Sequence, residues 1–427
     1  MNRLAVCLAV GVAAPAFAGD WPHWRGPTRD GVTAEPSGWV AGREWLPAAP
    51  AWTASVGIGN GGALAVGGRV YVHGWEAGKD AVRCLDAADG KDVWKAEYKA
   101  PKYGRVHMGD DDFYGGPSAT PEFDAGTGLL YTLGVDGGLT CWDTAAAGKK
   151  VWSLNLYDDY KAGRRPQLTR FFHRDYGYTA SPLVHGDWLI VEVGSTARGS
   201  VVAFDKRTGK EVWASALKDE AGHTGGLTPL TVEGVPCVAV LTQRNLAVIR
   251  LDPANRGKTA AVFPWVTDGD CNIPCPAARG DHVLVTSAYN QSVIVKLKIT
   301  LAGAEEVWRK KTPSKVCSPV IHGDSVYFSW HRVRCLDWET GDLRWEGGAF
   351  GEAGSCAVTA DGRVVVYGHN GKLALVEGAG RSPKKYEELA VKDGIFKAFA
   401  WPHVALADGQ ILCRDKDGHL ACFVLPK

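Results

Sequence analysis

Cys84-Leu-Asp-Ala-Ala-Asp-Gly-Lys-Asp-Val-Trp94 contains a phrase that recurs along the chain: an apolar strand ending in Leu/Phe-Asp, then Gly four residues on, then Trp four residues further. It returns as Ala203-Phe204-Asp205 to Gly209 to Trp213, and as Cys335-Leu336-Asp337 to Gly341 to Trp345. Looser copies run from Asp143 to Gly148 to Trp152 and from Lys298 to Gly303 to Trp308. Self-similarity on this scale means one supersecondary unit stacked on copies of itself, and it outranks any local motif in deciding the fold.

Each unit parses as four strands. In residues 178–217 the expected strands are Tyr178–Val184 (inner), Trp188–Val193, Ser200–Phe204 and Glu211–Trp213 (outer), punctuated by Gly, Asp and Pro. Asp136-Gly137, Asn370-Gly371 and Asp417-Gly418 read as two-residue hairpin turns. In the recurring phrase, Asp and Gly suit the turn before the outer strand. The Trp then suits a wedge between neighbouring units, with its N–H offered to a backbone carbonyl. Trp52, Trp94, Trp152, Trp213, Trp308 and Trp345 are therefore expected to dock one unit on the next, with Trp265 and Tyr386 as degenerate counterparts. The last copy runs out before its outer strand, whereas Ala51–Val56, near the start, looks like an outer strand without a unit. The expectation is an all-β, eight-bladed β-propeller with four-stranded antiparallel blades over residues 46–427. The N-terminal strand closes the last blade, which removes the free edges of a linear array.

Composition narrows the function classes. Gly 53 and Trp 17 suit tight turns and wedges, and 48 basic against 47 acidic residues argues against nucleic acid or an anionic membrane surface as partner. Residues 1–18 read as a signal peptide: Arg3, an apolar run from Leu4 to Val12, then Ala16-Phe17-Ala18. The apolar run is too short to span a bilayer, so an exported, periplasmic or secreted chain without a transmembrane segment is expected, starting at Gly19. Residues 19–45 form an N-terminal extension that either packs along the propeller or plugs its channel with Trp21, Trp24 and Arg25. Of 11 cysteines, Cys7 falls in this leader. The others read mainly as small buried residues. Counting outward from a two-residue Asp417-Gly418 turn pairs Cys413 with Cys422, a possible cross-strand disulfide.

Two links are longer than ordinary connections. The first, 99–114, carries Arg105, His107, Phe113 and Tyr114; the second, 157–176, carries Arg164, Arg165, Phe171, Phe172 and His173. Both join an outer strand to the next inner strand, which places them on one face beside the channel. One reading is mutual packing of an acidic and a basic loop. The other is a partner-binding surface, because rigid scaffolds carry function on long loops and Arg with aromatics is the composition of interface anchors. Asp110-Asp111-Asp112 reads as a solvated acidic turn, and His107, His173 and His223 are the histidines nearest the channel. No nucleophile elbow, phosphate loop or metalloprotease motif is present.

The stretches Cys84–Trp94 and Ala203–Trp213 resemble the tryptophan-docking motif of the pyrroloquinoline quinone (PQQ)-like propeller repeat. That repeat is shared by quinoprotein dehydrogenases and by the BamB lipoproteins of outer-membrane assembly. Asp20-Trp-Pro-His-Trp-Arg-Gly-Pro27 resembles the start of many secreted propellers of this kind. For the dehydrogenases the resemblance implies an adjacent Cys-Cys pair over the quinone and a Glu/Asn/Asp calcium set. This chain has no Cys-Cys dipeptide, and its Cys271-Asn-Ile-Pro-Cys275 is not a substitute. The compact BamB-like branch is the closer match. It implies a non-catalytic protein-interaction or assembly scaffold in the cell envelope, with a protein partner and no cofactor. The alternatives are a PQQ- and calcium-dependent oxidoreductase and a carbohydrate-binding module.

Overall fold

A computed structural model describes residues 19–100, 115–162, 177–352 and 354–426. They form eight antiparallel sheets, each of which pairs its strands in simple sequence order apart from the one that closes the ring. The blades start at inner strands Leu64–Val66, Glu122–Asp124, Leu183–His185, Thr228–Val232, Ala277–Arg279, Val320–His322, Gly354–Val358 and Ala405–Ala407, here blades 1 to 8. In blade 6 a single run, Ser325–Asp337, fills both middle positions. It turns at His331 (φ 57°), pairs with Val320–His322 and Leu343–Gly351, and brings Trp338 N to 2.9 Å from Asp324 O.

The ring closes as the sequence leads one to expect. Trp52–Ser55 is the outer strand of blade 8, with Trp52 opposite Cys422 and Ser55 opposite His419. A buried guanidinium seals this seam. Arg414 of blade 8 donates to Gly61 O (2.6 Å), Gly57 O (2.9 Å) and His73 O (3.0 Å), all on the blade 1 side. Burial pushes its pKa down to about 10, with the neighbouring Asp415 opposing the fall.

The geometry explains the Asp-Gly-Trp phrase. Asp205 Oδ1 accepts the backbone N–H groups of Arg207 and Thr208 at 3.2 and 2.8 Å, and Asp337 Oδ1 does the same for Glu339 and Thr340 at 2.9 and 2.8 Å. This is the Asx turn that lifts the chain into the outer strand. The carbonyl just after each Asp faces the preceding blade and accepts its Trp: Trp52 Nε1 to Ala87 O (2.9 Å), Trp152 to Lys206 O (3.1 Å), Trp308 to Trp338 O (3.2 Å). The Gly is the seat for the same ring. At Gly209 φ is +69° and a Cβ would lie 2.6 Å from the Trp152 indole. Asp, Gly and Trp therefore belong to one joint formed by two blades. Gly209→Ala is expected to cost about 1–3 kcal/mol, from left-handed strain and displacement of Trp152 together. Urea unfolding would check this, and a loss within error of zero would refute the seat.

Four expectations need correction. The Asp-Gly turns hold three residues: Gly134 N donates to Gly138 O, Gly368 pairs with Lys372, and Asp415 N donates to His419 O. Gly137, Gly371 and Gly418 take the left-handed position, with φ of 82°, 75° and 90°. The extra residue slips the last hairpin by one, so Cys413 pairs with Ala421 and Cys422 with Leu412. A one-residue slip sends the two sulfurs to opposite faces, and both cysteines are free thiols. The inner strand expected over Tyr178–Val184 is only Leu183–His185, because Ser181 N bonds sideways to Gly225 O (3.0 Å) of the blade 4 approach and Pro182 has no N–H to give. Tyr386 precedes its outer strand, Glu388–Lys392, and packs back on Trp345, 5.9 Å between ring centres.

Candidate functional site: the plugged channel

Inner strands that converge on an axis leave their first residues and the links before them around one mouth of a central channel. Here the N-terminal extension closes that channel. Trp21 bridges Ala65 of blade 1 (N to O 2.6 and 3.1 Å), and Pro22 O accepts Phe123 N of blade 2 (3.1 Å). After crossing, Val32 pairs with Val358 of blade 7, where Thr33 N meets Val358 O at 2.9 Å. Between these anchors Trp24 touches the blade 4 approach at Gly225 and Gly226, where a Cβ would come within 2.6 and 2.7 Å of the indole. On its other side the same ring meets His403 of blade 8 edge-on, 5.3 Å between centres. Blades 4 and 8 are opposite in a ring of eight, so Trp24 stands on the axis. Both options the sequence left open for residues 19–45 are observed: Trp24 stands in the channel, whereas the later part packs along the propeller, with Val32 paired to Val358, Ser37 bonded to Asp361 and Trp45 buried against blades 7 and 8.

A carboxylate anchors the plug. Glu122, on the inner strand of blade 2, is fully buried and chelates Arg29, with Nη1 at 2.8 Å and Nη2 on the other oxygen. It also bonds His23 Nδ1 (3.1 Å) and accepts Val184 N of blade 3 (2.8 Å). Burial alone would raise its pKa, but the Arg29 and His23 charges and hydrogen bonds outweigh burial and hold it at about 2. Arg25, 1% exposed, donates to Asp30 O (2.9 Å) and to Pro319 O of blade 6.

Above the plug lies a cavity of about 110 Å³ to which every blade contributes: Asn60, Ser118, Thr179, His223, Ile273, Val316 and Ser318, Gly354 and Ser355, Trp401 and His403, with Trp24 as floor. Part of its polarity is already used, while Trp24 Nε1 and His403 Nε2 are buried with no partner among the described residues. Thr179 Oγ1 donates to Thr224 O (3.0 Å), Ser318 Oγ accepts Cys275 N (2.9 Å) and Ser355 Oγ accepts Val404 N (3.1 Å). His403 Nδ1 bonds Val404 O at 2.8 Å, which puts the ring proton on Nδ1. Burial, aided by Arg25, lowers His403 to about 4, so the ring is neutral at physiological pH.

These residues do not suit PQQ. A tricarboxylate quinone needs cations, yet no Asp, Glu, Lys or Arg is among the described residues lining the cavity. Nor do the described residues bring three His, Cys, Asp or Glu together around a metal position. The volume also falls well below the roughly 300 Å³ at which small-molecule pockets usually start.

Of the residues singled out from sequence, Trp24 and His223 line the cavity. Arg105, His107, Phe113, Tyr114, Arg164, Arg165, Phe171, Phe172 and His173 lie outside the described residues, as does the leader 1–18. The start of the second long link is a short helix, Leu156–Tyr160, capped by Asn155 Oδ1 on Tyr157 N (3.0 Å) and Asp158 N (3.2 Å). One signal near the mouth is a small residue and proline just ahead of the inner strand, as in Ser181-Pro182, Cys275-Pro276 and Ser318-Pro319, of which Ser318 lines the cavity.

Comparison with known proteins agrees with this architecture. The family described as outer membrane protein assembly factor BamB matches residues 47–181 and 135–330. A curated relative, the quinohemoprotein alcohol dehydrogenase ADH-IIG of Pseudomonas putida, is 28% identical over 153 residues, 35% of this chain but only 18% of that enzyme's length. Among solved structures, BamB from Moraxella catarrhalis superposes with a TM-score of 0.59 at 13% identity, covering 87% of this chain and 98% of that one. A europium-containing methanol dehydrogenase gives 0.52 at 14% identity, covering 96% and 98%. At these identities the structural likeness speaks for the fold.

Proposed function

Because this chain belongs to the PQQ-like propeller family described by outer membrane protein assembly factor BamB, we propose that it works as a non-catalytic interaction or assembly scaffold of the cell envelope. The observation that carries this reading is the channel itself. Its axis is filled by the chain's own Trp24, and the cavity above is small and lined by no charged side chain among the described residues. A ring held rigid by eight interlocked blades, with its centre closed, offers surface rather than a reaction chamber. No described helix is long and apolar enough to cross a membrane.

The partner surface in this proposal is the face carrying the two long links, with Arg164, Arg165, Phe171 and Phe172 as anchors and Arg105, His107, Phe113, Tyr114 and His173 beside them. Replacing Arg164, Arg165, Phe171 and Phe172 together by Ala should reduce crosslinked partner recovery at least tenfold while the urea midpoint stays unchanged. Undiminished recovery by a folded variant would remove this surface from consideration. The oxidoreductase reading draws on the 153-residue similarity to the alcohol dehydrogenase and requires the channel to accept a quinone.

A further inference from the structure

The described cysteines are all buried thiols. Most are packed singly into the blade interiors. Cys413 and Cys422 diverge to opposite faces, and Cys275 Sγ donates to Gly226 O (3.0 Å) next to Thr228 Oγ1 (3.2 Å). Cys317 and Cys356 differ. Cys317 stands on the approach to blade 6 and Cys356 on the inner strand of blade 7, and their sulfurs lie 3.8 Å apart. The contact joins neighbouring blades rather than strands of one sheet. Beyond it, Cys317 Sγ has a weak contact with Ser318 O at 3.6 Å.

We propose that Cys317 and Cys356 are a disulfide-forming pair that staples blade 6 to blade 7 beside the channel mouth when the protein folds in the presence of a disulfide oxidant. A disulfide bond is about 2.0 Å long, so each sulfur has to move by roughly 0.9 Å, within reach of small side-chain rotations in a pair already in contact. The residues flanking both cysteines line the cavity (Val316 and Ser318 on one side, Gly354 and Ser355 on the other), so the staple sets the spacing of two channel walls.

The step is thiol–disulfide exchange with a low-molecular-weight disulfide, RS–SR. Cys317 thiolate attacks one sulfur of RS–SR, the S–S bond breaks, and the first RS⁻ leaves. Cys356 thiolate then attacks Cys317 Sγ in the mixed disulfide and expels the second RS⁻. The two thiol protons end on the two RSH products. The cysteines are oxidised by two electrons and the small disulfide is reduced by two. Either thiol can take the first step, since the sulfur–sulfur contact and the Arg25 charge that set the two apart exist only once the ring has closed. Because both thiols are enclosed in the finished ring, exchange belongs to the stage of folding before blades 6 and 7 close.

This staple is independent of the scaffold reading. The test is to refold mature protein with oxidised and reduced glutathione, alkylate after denaturation without reduction, and map the peptides. The expected result is one crosslinked peptide pair, Cys317 with Cys356, an intact mass lower by two hydrogens, and the remaining cysteines alkylated. In Cys317→Ala the Cys356 thiol should become fully alkylatable. Full alkylation of both cysteines in the wild type, or linkage of either to another cysteine, would overturn the proposal. The wild-type map decides even where a variant fails to fold. On folded protein, reductant should lower the melting midpoint of the wild type by several degrees and leave that of Cys317→Ala unchanged; equal shifts in both would also count against the staple.

Discussion

Arg414→Met is expected to destabilise the propeller by about 3–5 kcal/mol, measured by urea unfolding of the mature chain. The methionine fills much of the same volume but donates nothing. Gly57 O, Gly61 O and His73 O are then left buried at the seam between blade 8 and blade 1 without their charged donor. The energy is large because ring closure concentrates it there: Trp52–Ser55 joins the two ends of the described chain through a single strand pair. An equivalent change at Arg207, which lies on the surface and pairs with the exposed Asp187, should produce no comparable loss. Equal effects at the two positions would mean that the seam is no more critical than an ordinary surface contact.

Glu122→Gln is expected to remove the acid sensitivity of the plug. The folded carboxyl titrates at about 2 against an ordinary value of 4.5. Its folded-state pKa is depressed, so the stabilisation is fully present above pH 4.5 and is lost as pH falls through about 2. The difference corresponds to about 3 kcal/mol for a fully buried group. The Gln variant resembles the protonated state at every pH. It should be weaker than wild type by about that amount at pH 7, and the two stabilities should converge near pH 2. Limited proteolysis within residues 19–45 gives a second readout, since Arg29 and His23 lose their common anchor. Parallel pH curves that never converge would show that Glu122 does not hold the plug by charge.

The parts of this molecule that sequence exposes are those with local chemistry. The Asp205-to-Gly209-to-Trp213 spacing is legible because an Asx turn, a left-handed glycine and a wedge residue each demand particular side chains within a few positions. Trp52 could be recognised as the missing outer strand because it belongs to the same phrase. What the phrase conceals is that the Gly of one blade seats the Trp of the blade before it, as Gly209 does for Trp152. Hairpin register was less legible: Asp-Gly ends both two-residue and three-residue turns, and one extra residue exchanges the faces of every side chain beyond it. That is why Cys413 and Cys422 separate while Cys317 and Cys356, far apart in sequence and in different blades, meet.

The channel was the hardest part to foresee. Trp24 meets Gly225 and His403, and Arg25 meets Pro319, so the plug is specified by contacts across hundreds of residues. Its composition, rich in Trp, Pro and Gly, is equally consistent with a strap outside the ring. The extended Ser/Thr/Cys-Pro approaches to the inner strands did carry information, because proline removes a donor and frees the preceding residues to bond sideways or line the mouth.

In the proposed scaffold role the propeller presents its surface and its channel takes no redox cofactor. That role is tested most directly by calorimetric titration of the purified mature protein with PQQ, with and without calcium, followed in parallel by absorbance. No saturable heat and no spectral change are expected up to high micromolar quinone in either condition. Stoichiometric, calcium-dependent binding would contradict that role, and would mean that the plug opens and that the channel of this chain serves an oxidoreductase.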